Sequence, residues 1–217
     1  IGLMNMHTRS TDDFQAQNYS AAAIERRVWS RSTIKALFIN RQGFDGSESI
    51  DGDYGRNAGL EFDYSTADGK WGGFIQYHQS FKEGYDSKNA FFNVGFRHNS
   101  RNIGVFVDHN RSGENYFTDT GFTPFLSNID AFRDTIIRQS VSAAFNRFTY
   151  THYPENERIN SMQFQISDSY KLDEDYKFRE NSVALTFRVN YANKSSISLE
   201  GRHTNFNLLF PFTFTGD

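Results

Sequence analysis

Strict alternation of apolar and polar residues recurs along this chain, and no other feature limits the possible folds so tightly. Val183, Leu185, Phe187, Val189 and Tyr191 alternate with Ser182, Ala184, Thr186, Arg188 and Asn190. Ala58, Leu60, Phe62 and Tyr64 alternate with Asn57, Gly59, Glu61 and Asp63. Trp71, Gly73, Ile75 and Tyr77 oppose Gln76 and His78; Phe92, Val94 and Phe96 oppose Asn93, Gly95 and Arg97; Met162, Phe164 and Ile166 oppose Ser161, Gln163 and Gln165. A period of two puts each set on one face of a β-strand, so each strand has one greasy and one polar face. The pattern predicts about eleven strands, near 1–8, 19–29, 33–41, 57–65, 71–81, 89–98, 102–109, 137–149, 158–167, 179–191 and 196–206. Segment 20–29 contains good helix formers, but its neighbours pair as hairpins and the strand reading is preferred.

Composition separates membrane strands from membrane helices. Phe is the commonest residue, with 23 copies in 217 residues, and aromatics make up 17% of the chain. Yet only 37% is hydrophobic, mean hydropathy is −0.66, and no long apolar run exists. That excludes helical spans. It suits a transmembrane barrel, where only alternate residues meet lipid. A net charge of −3 gives no basic footprint for nucleic acid, and the absence of cysteine removes disulfides and thiolate metal sites. Three prolines and no linker-like stretch leave a single segment, 1–217, without an internal boundary. No signal peptide is evident, and the expectation is a mature or internal piece of a longer protein.

The connections predict polarity. Segments 9–18, 42–56, 82–88, 110–136 and 168–178 read as long, whereas 30–32, 66–70, 99–101 and 192–195 read as tight turns and 150–157 as intermediate. Outer-membrane barrels pair short periplasmic turns with longer external loops. Trp29, Tyr64, Trp71, Tyr150 and Tyr191 sit beside the short turns, where a girdle at headgroup level is expected. Segment 110–136 is too long for a plain loop, and a short helix or a fold into the lumen is expected there. Phe206, Leu208, Phe210, Phe212 and Phe214 alternate out of phase with Ile197 and Leu199, which predicts a bulge or break near 203–206.

Several segments resemble domain-of-unknown-function family 5916. They are Asn18–Gln42 (NYSAAAIERRVWSRSTIKALFINRQ), Ile1–Thr8 (IGLMNMHT), Tyr54–Asp63 (YGRNAGLEFD) and Glu114–Phe122 (ENYFTDTGF). The resemblance covers roughly the first two thirds of the chain. It implies a Gram-negative outer-membrane β-barrel, which in that family commonly follows a domain similar to carbohydrate-binding family 9. It brings no catalytic residues.

The expected fold is therefore all-β, an antiparallel up-and-down transmembrane β-barrel of about 11–12 strands here, an incomplete portion of a larger barrel. The expected lumen-facing residues are Glu61, Asp63, Gln76, His78, Asn93, Arg97 and Arg188. Glu61 and Asp63 share a strand face as acid–base carboxylates would, but a polar lumen lining accounts for them more simply. Asp45, Asp51 and Asp53 are calcium candidates in an acidic segment. Their spacing departs from the calcium-loop pattern, so a solvated acidic loop is the preferred reading. The same holds for Asp173, Glu174 and Asp175. No cofactor is implied. The expected partners are the lipid bilayer and lipopolysaccharide, with glycans or other outer-membrane proteins as further ones. The expected role is a pore or membrane scaffold linked to carbohydrate binding or uptake. The alternatives are an outer-membrane hydrolase using lumen or loop carboxylates, and a soluble β-rich binding domain.

Overall fold

The computed structural model describes residues 1–119, 127–130, 135–155 and 157–207. Eleven strands form one antiparallel up-and-down sheet, each bonded to its neighbour in chain order. They are β1 (Gly2–His7), β2 (Ala16–Val28), β3 (Ser32–Asp45), β4 (Glu48–Ser65), β5 (Trp71–Phe81), β6 (Ala90–Asn99), β7 (Ile103–Ser112), β10 (Val141–His152), β11 (Ile159–Leu172), β12 (Phe178–Tyr191) and β13 (Ser196–Phe206). Between β7 and β10 a small hairpin, β8 (Ser127–Asp130) with β9 (Thr135–Arg138), forms a separate two-stranded sheet. Segment 20–29 lies almost wholly in β2, and among the described residues there is no α-helix.

Register carries one face across the whole sheet. Directly opposed residues point the same way in an antiparallel pair. Glu25 opposes Lys35, and the row continues through Glu61, Gln76, Asn93, Asn110, Ala143, Lys171 and Glu180. The opposite face carries Ile34, Phe62, Ile75, Val94, His109, Ala144, Tyr170 and Asn181 in the corresponding register. A one-residue slip in any strand would exchange its two faces, so this continuity is what the alternation in the sequence encodes.

The apolar face is uncovered. Ile24, Phe38, Leu60, Ile75, Tyr77, Phe92, Phe96, Phe148, Phe164, Leu185 and Phe187 all lie on it and are 40–61% exposed. The buried hydrophobic side chains among the described residues are Ala16, Tyr116, Ala144 and Ala184. Three alanines and one tyrosine do not make a core. The polar face is the hollow one. Asn57 and Ser80 on it are buried where segment 113–119 hydrogen-bonds to them, and Glu61 and His78 are each only 17% exposed at the side chain.

Two glycines on the polar face accommodate large side chains from the neighbouring strand. A Cβ at Gly95 would lie 2.3 Å from the Phe74 ring, and one at Gly59 would lie 3.1 Å from the His78 imidazole. A side chain at Gly95 would collide with the ring already lying over it, and one at Gly59 would press on its ring.

The expected long–short rhythm holds only in part. Segments 8–15, 82–89 and 113–140 are long, but the expected long segments 42–56 and 168–178 are mostly strand, the second reduced to the turn 173–177 because β11 runs on to Leu172 and β12 begins at Phe178. The end with short turns holds 29–31, 66–70, 100–102, 153–158 and 192–195. The other end holds 8–15, 82–89, 113–140 and 173–177. The expected 42–56 loop is a hairpin instead. β3 and β4 run on to a turn at Gly46, whose φ of 58° suits glycine, and Phe44 and Asp45 pair with Ser49 and Glu48. A register shift between Gln42 and Phe44 absorbs the broken alternation that made this stretch look like a loop. The expected break at 203–206 is also absent. β12 and β13 pair without a shift from Asn190–Ser196 to Glu180–Phe206. Ladder hydrogen bonds hold the register, so His203 and Asn205 simply continue the outer face as polar residues. Residues 208–214 lie outside the described residues.

Candidate functional site

Among the described residues the polar face gathers charged groups across many strands, and these fall into three zones. The middle zone holds most of the expected lumen residues. Lys35 Nζ lies 2.8 Å from Asp63 Oδ2 and 3.7 Å from Glu61 Oε2, and His78 Nε2 lies 3.1 Å from Glu61 Oε1. Asn93 Nδ2 donates to Gln76 Oε1 at 3.2 Å. Glu61, Asp63 and His78 are thus brought together, with Gln76 and Asn93 as the adjoining pair. Lys35, which the sequence reading did not single out, joins the carboxylates. Its register position opposite Glu61 is the signal that would have found it. Both carboxylates have a basic neighbour, as a structural ion-pair lattice requires. A general acid and base would need environments that push the two apart.

The second zone lies at the long-loop end. Arg41 Nη1 bonds Asp53 Oδ1 at 2.6 Å and Gln17 Oε1 at 2.8 Å, while its Nε donates to Asp119 Oδ2 at 2.8 Å. Asp119 belongs to segment 113–119, which folds onto the polar face. Asn57 Nδ2 donates to the Phe117 carbonyl at 2.8 Å, and the Phe117 N–H donates to Ser80 Oγ at 3.1 Å. Tyr116 stacks on Phe91 with ring centroids 5.8 Å apart, and Arg138 donates to the Glu114 and Tyr116 carbonyls. The described part of the long 110–136 connection therefore folds back onto the polar face of the sheet. Asp53 is consumed by Arg41 and Gln17. Asp45, Asp51 and Asp53 do not gather into a cation-sized cluster, and no such group occurs among the described residues.

The third zone lies at the short-turn end. Arg97 opposes Phe106, and Phe106 opposes Arg147, on three adjacent strands. With Arg101 in the 100–102 turn they line a cavity of about 570 Å³ whose far wall is Gln163 and Gln165. Arg188 opposes Gln163 on the next strand. Arg97 and Arg188 are thus on the same face as Glu61, Arg97 two strands away from it and Arg188 four strands beyond Arg97.

In the acidic loop of Asp173, Glu174 and Asp175, Asp175 is exposed, at 72% of its side chain, as a solvated loop predicts, but Asp173 is not. Asp173 is 6% exposed. Burial alone would raise its carboxyl pKa, but the Lys177 and Asp175 N–H groups and the Arg179 guanidinium bind the anion and hold it below the usual carboxylate value. Glu174 pairs with Lys88 in the 82–89 loop. A depressed carboxyl stabilises the fold above its ordinary pKa of ~3.9, and the stabilisation is lost as pH falls through the lower folded-state value. Exchange protection of the Lys177 amide is expected to survive acidification through pH ~4 and to disappear only below it. Loss of protection at or above that pH would contradict the assignment.

The five aromatics beside the short turns share one arrangement. Tyr64, Trp71, Tyr150 and Tyr191 all lie on the apolar face, and Trp29 packs edge-on against Phe62 of that face at 5.8 Å. No family profile, curated protein or solved structure matches the chain.

Proposed function

We propose that this chain is the wall of a bacterial outer-membrane β-barrel, serving as a pore or membrane scaffold. One observation carries the reading: the sheet's uncovered face is its apolar face, while its polar face is the more buried. A water-soluble protein has the opposite arrangement. Monomeric soluble proteins rarely expose an apolar patch beyond a few hundred Å², and each large side chain here forgoes roughly 1.5–3 kcal/mol by remaining uncovered in water. Lipid covers such a face without a second protein layer. On β12 the apolar stripe runs from Val183 to Tyr191, close to the ~9–11 residues that a tilted strand needs to cross the hydrocarbon.

The five aromatics at the short-turn end fit the headgroup level of the periplasmic leaflet, and the longer connections then face outward. In lipid the open edges of β1 and β13 must be paired, so the reading requires closure of the wall through these strands directly or through further ones. The resemblance to domain-of-unknown-function family 5916 supports the same class. The carboxylates Glu61 and Asp63, held by Lys35 and His78, serve as wall lining in this account, with no covalent chemistry assigned to them. Single cysteines along β12 in the cysteine-free chain, labelled in lipid vesicles, test which face meets lipid.

A further inference from the structure

We infer that the cavity at the short-turn end of the polar face is a binding site for the oxyanion groups of a small solute, carboxylate or phosphate. This deepens the barrel reading and rests on it for the site's place at the lumen wall. The first argument is charge. Arg97, Arg101 and Arg147 line the cavity and no Asp or Glu does. On the same face Lys35 is matched with Asp63, Arg41 with Asp53 and Asp119, Lys171 with Glu180 and Arg202 with Glu200, whereas Arg27 and Arg188 have no acidic partner among the described residues but do not line this cavity. The three cavity arginines make no ion pair among the described residues. Glu155 and Glu157, in the adjoining turn, do not line the cavity. Three arginines around one opening with no acidic residue in its lining make the local potential positive, which favours an anion there.

The second argument is positioning. All three arginines are exposed, and two of them rest on aromatic rings. Arg147 lies over the Phe106 and Phe145 rings at 5.8 and 6.0 Å, and Arg101 lies over Tyr153 at 5.0 Å. Cation–π contacts of this kind fix the guanidinium plane while leaving its edge N–H groups unused. Those donors form a fork that matches carboxylate and phosphate oxygens two at a time. The third is the polar remainder of the wall. Gln163 and Gln165 supply amide donors and acceptors for the neutral part of a solute, and the volume of about 570 Å³ is that of a small-molecule site.

The test is titration of the full chain in nanodiscs with inorganic pyrophosphate, followed calorimetrically, at low ionic strength. The wild type is expected to show saturable binding that weakens with added salt. The Arg97→Gln/Arg147→Gln pair should bind at least tenfold more weakly, whereas Arg56→Gln, on the opposite face, should leave binding unchanged. Circular dichroism before titration shows whether each variant keeps its strand content, and Arg147→Lys, which keeps the charge and loses the fork, serves as a second probe expected to fall between. Absence of saturable binding, or equal binding by the wild type and the double variant, overturns the proposal. The two readings fail separately. A chain that inserts into lipid but ignores pyrophosphate removes the anion site alone, and one that binds pyrophosphate while staying soluble without lipid removes the barrel alone.

Discussion

Phe187→Arg is expected to cost on the order of 2–4 kcal/mol of folding stability in lipid vesicles, the penalty for a cation near the bilayer midplane on a barrel's lipid face. Phe187 is the middle residue of the apolar stripe from Val183 to Tyr191, and it is flanked in register by Phe164 and Leu199, also on that face. Its side is 41% exposed with no protein layer over it. An arginine there has no partner to pair with and must drag water or headgroups into the hydrocarbon. Thr186→Arg, one residue away on the polar face and opposite Gln165, should change stability by about 0.5 kcal/mol or less, as at an ordinary solvated site. Urea titrations of both variants refolded into vesicles measure the difference. In a water-exposed sheet the sign would reverse, because replacing an exposed phenylalanine by arginine there removes a greasy surface at little cost. Equal stabilities for the two variants would therefore tell against a lipid-facing wall.

Arg41→Met should release the folded-back segment. Arg41 is 14% exposed and holds Asp53 and Asp119, one from the wall and one from the segment. Methionine keeps the aliphatic stem but leaves Asp53 with only the Gln17 amide and Asp119 with only Lys82 at 3.9 Å. Leaving such groups short of a partner costs about 1–3 kcal/mol, and more when they are charged. The Phe117 amide, bonded to Ser80 Oγ, reports on the segment. Its exchange is expected to accelerate at least tenfold, since ~1.4 kcal/mol corresponds to a factor of ten. Neutralising both acids in the same background, with Asp53→Asn and Asp119→Asn, should recover part of the protection. Unchanged exchange in Arg41→Met would show that Asn57, Ser80 and Arg138 hold the segment unaided.

The faces were legible in the sequence because a period of two is a local property. Each of Leu60, Ile75, Val94 and Leu185 takes the side its alternation assigned, and eleven strands were countable from the same signal. What was not legible depended on pairing. The 42–56 stretch breaks alternation through a register shift and a glycine turn, so it resembled a loop while being the continuation of β3 and β4. At 203–206 the phase change in composition was real, but ladder hydrogen bonds to β12 kept the register and placed polar residues on the outer face. The site shows the same division. Glu61, Asp63, His78 and Arg97 were found as polar residues on alternating strands. Lys35, Arg41 and Arg147 were missed because their importance comes from partners on other strands. Asp173 was misjudged as solvated because a turn built around its own carboxylate has no periodicity.

The lipid-facing assignment itself is tested most directly by a nitroxide scan of β12. Single cysteines at positions 182–191, spin-labelled in lipid vesicles, report collision with oxygen, which concentrates in hydrocarbon, and with a water-soluble nickel chelate. The account predicts that Val183, Leu185, Phe187 and Val189 positions favour oxygen, while Ala184, Thr186, Arg188 and Asn190 positions favour the chelate, with a period of two across the stretch. Higher chelate than oxygen accessibility at Leu185 and Phe187, or no alternation at all, would contradict it.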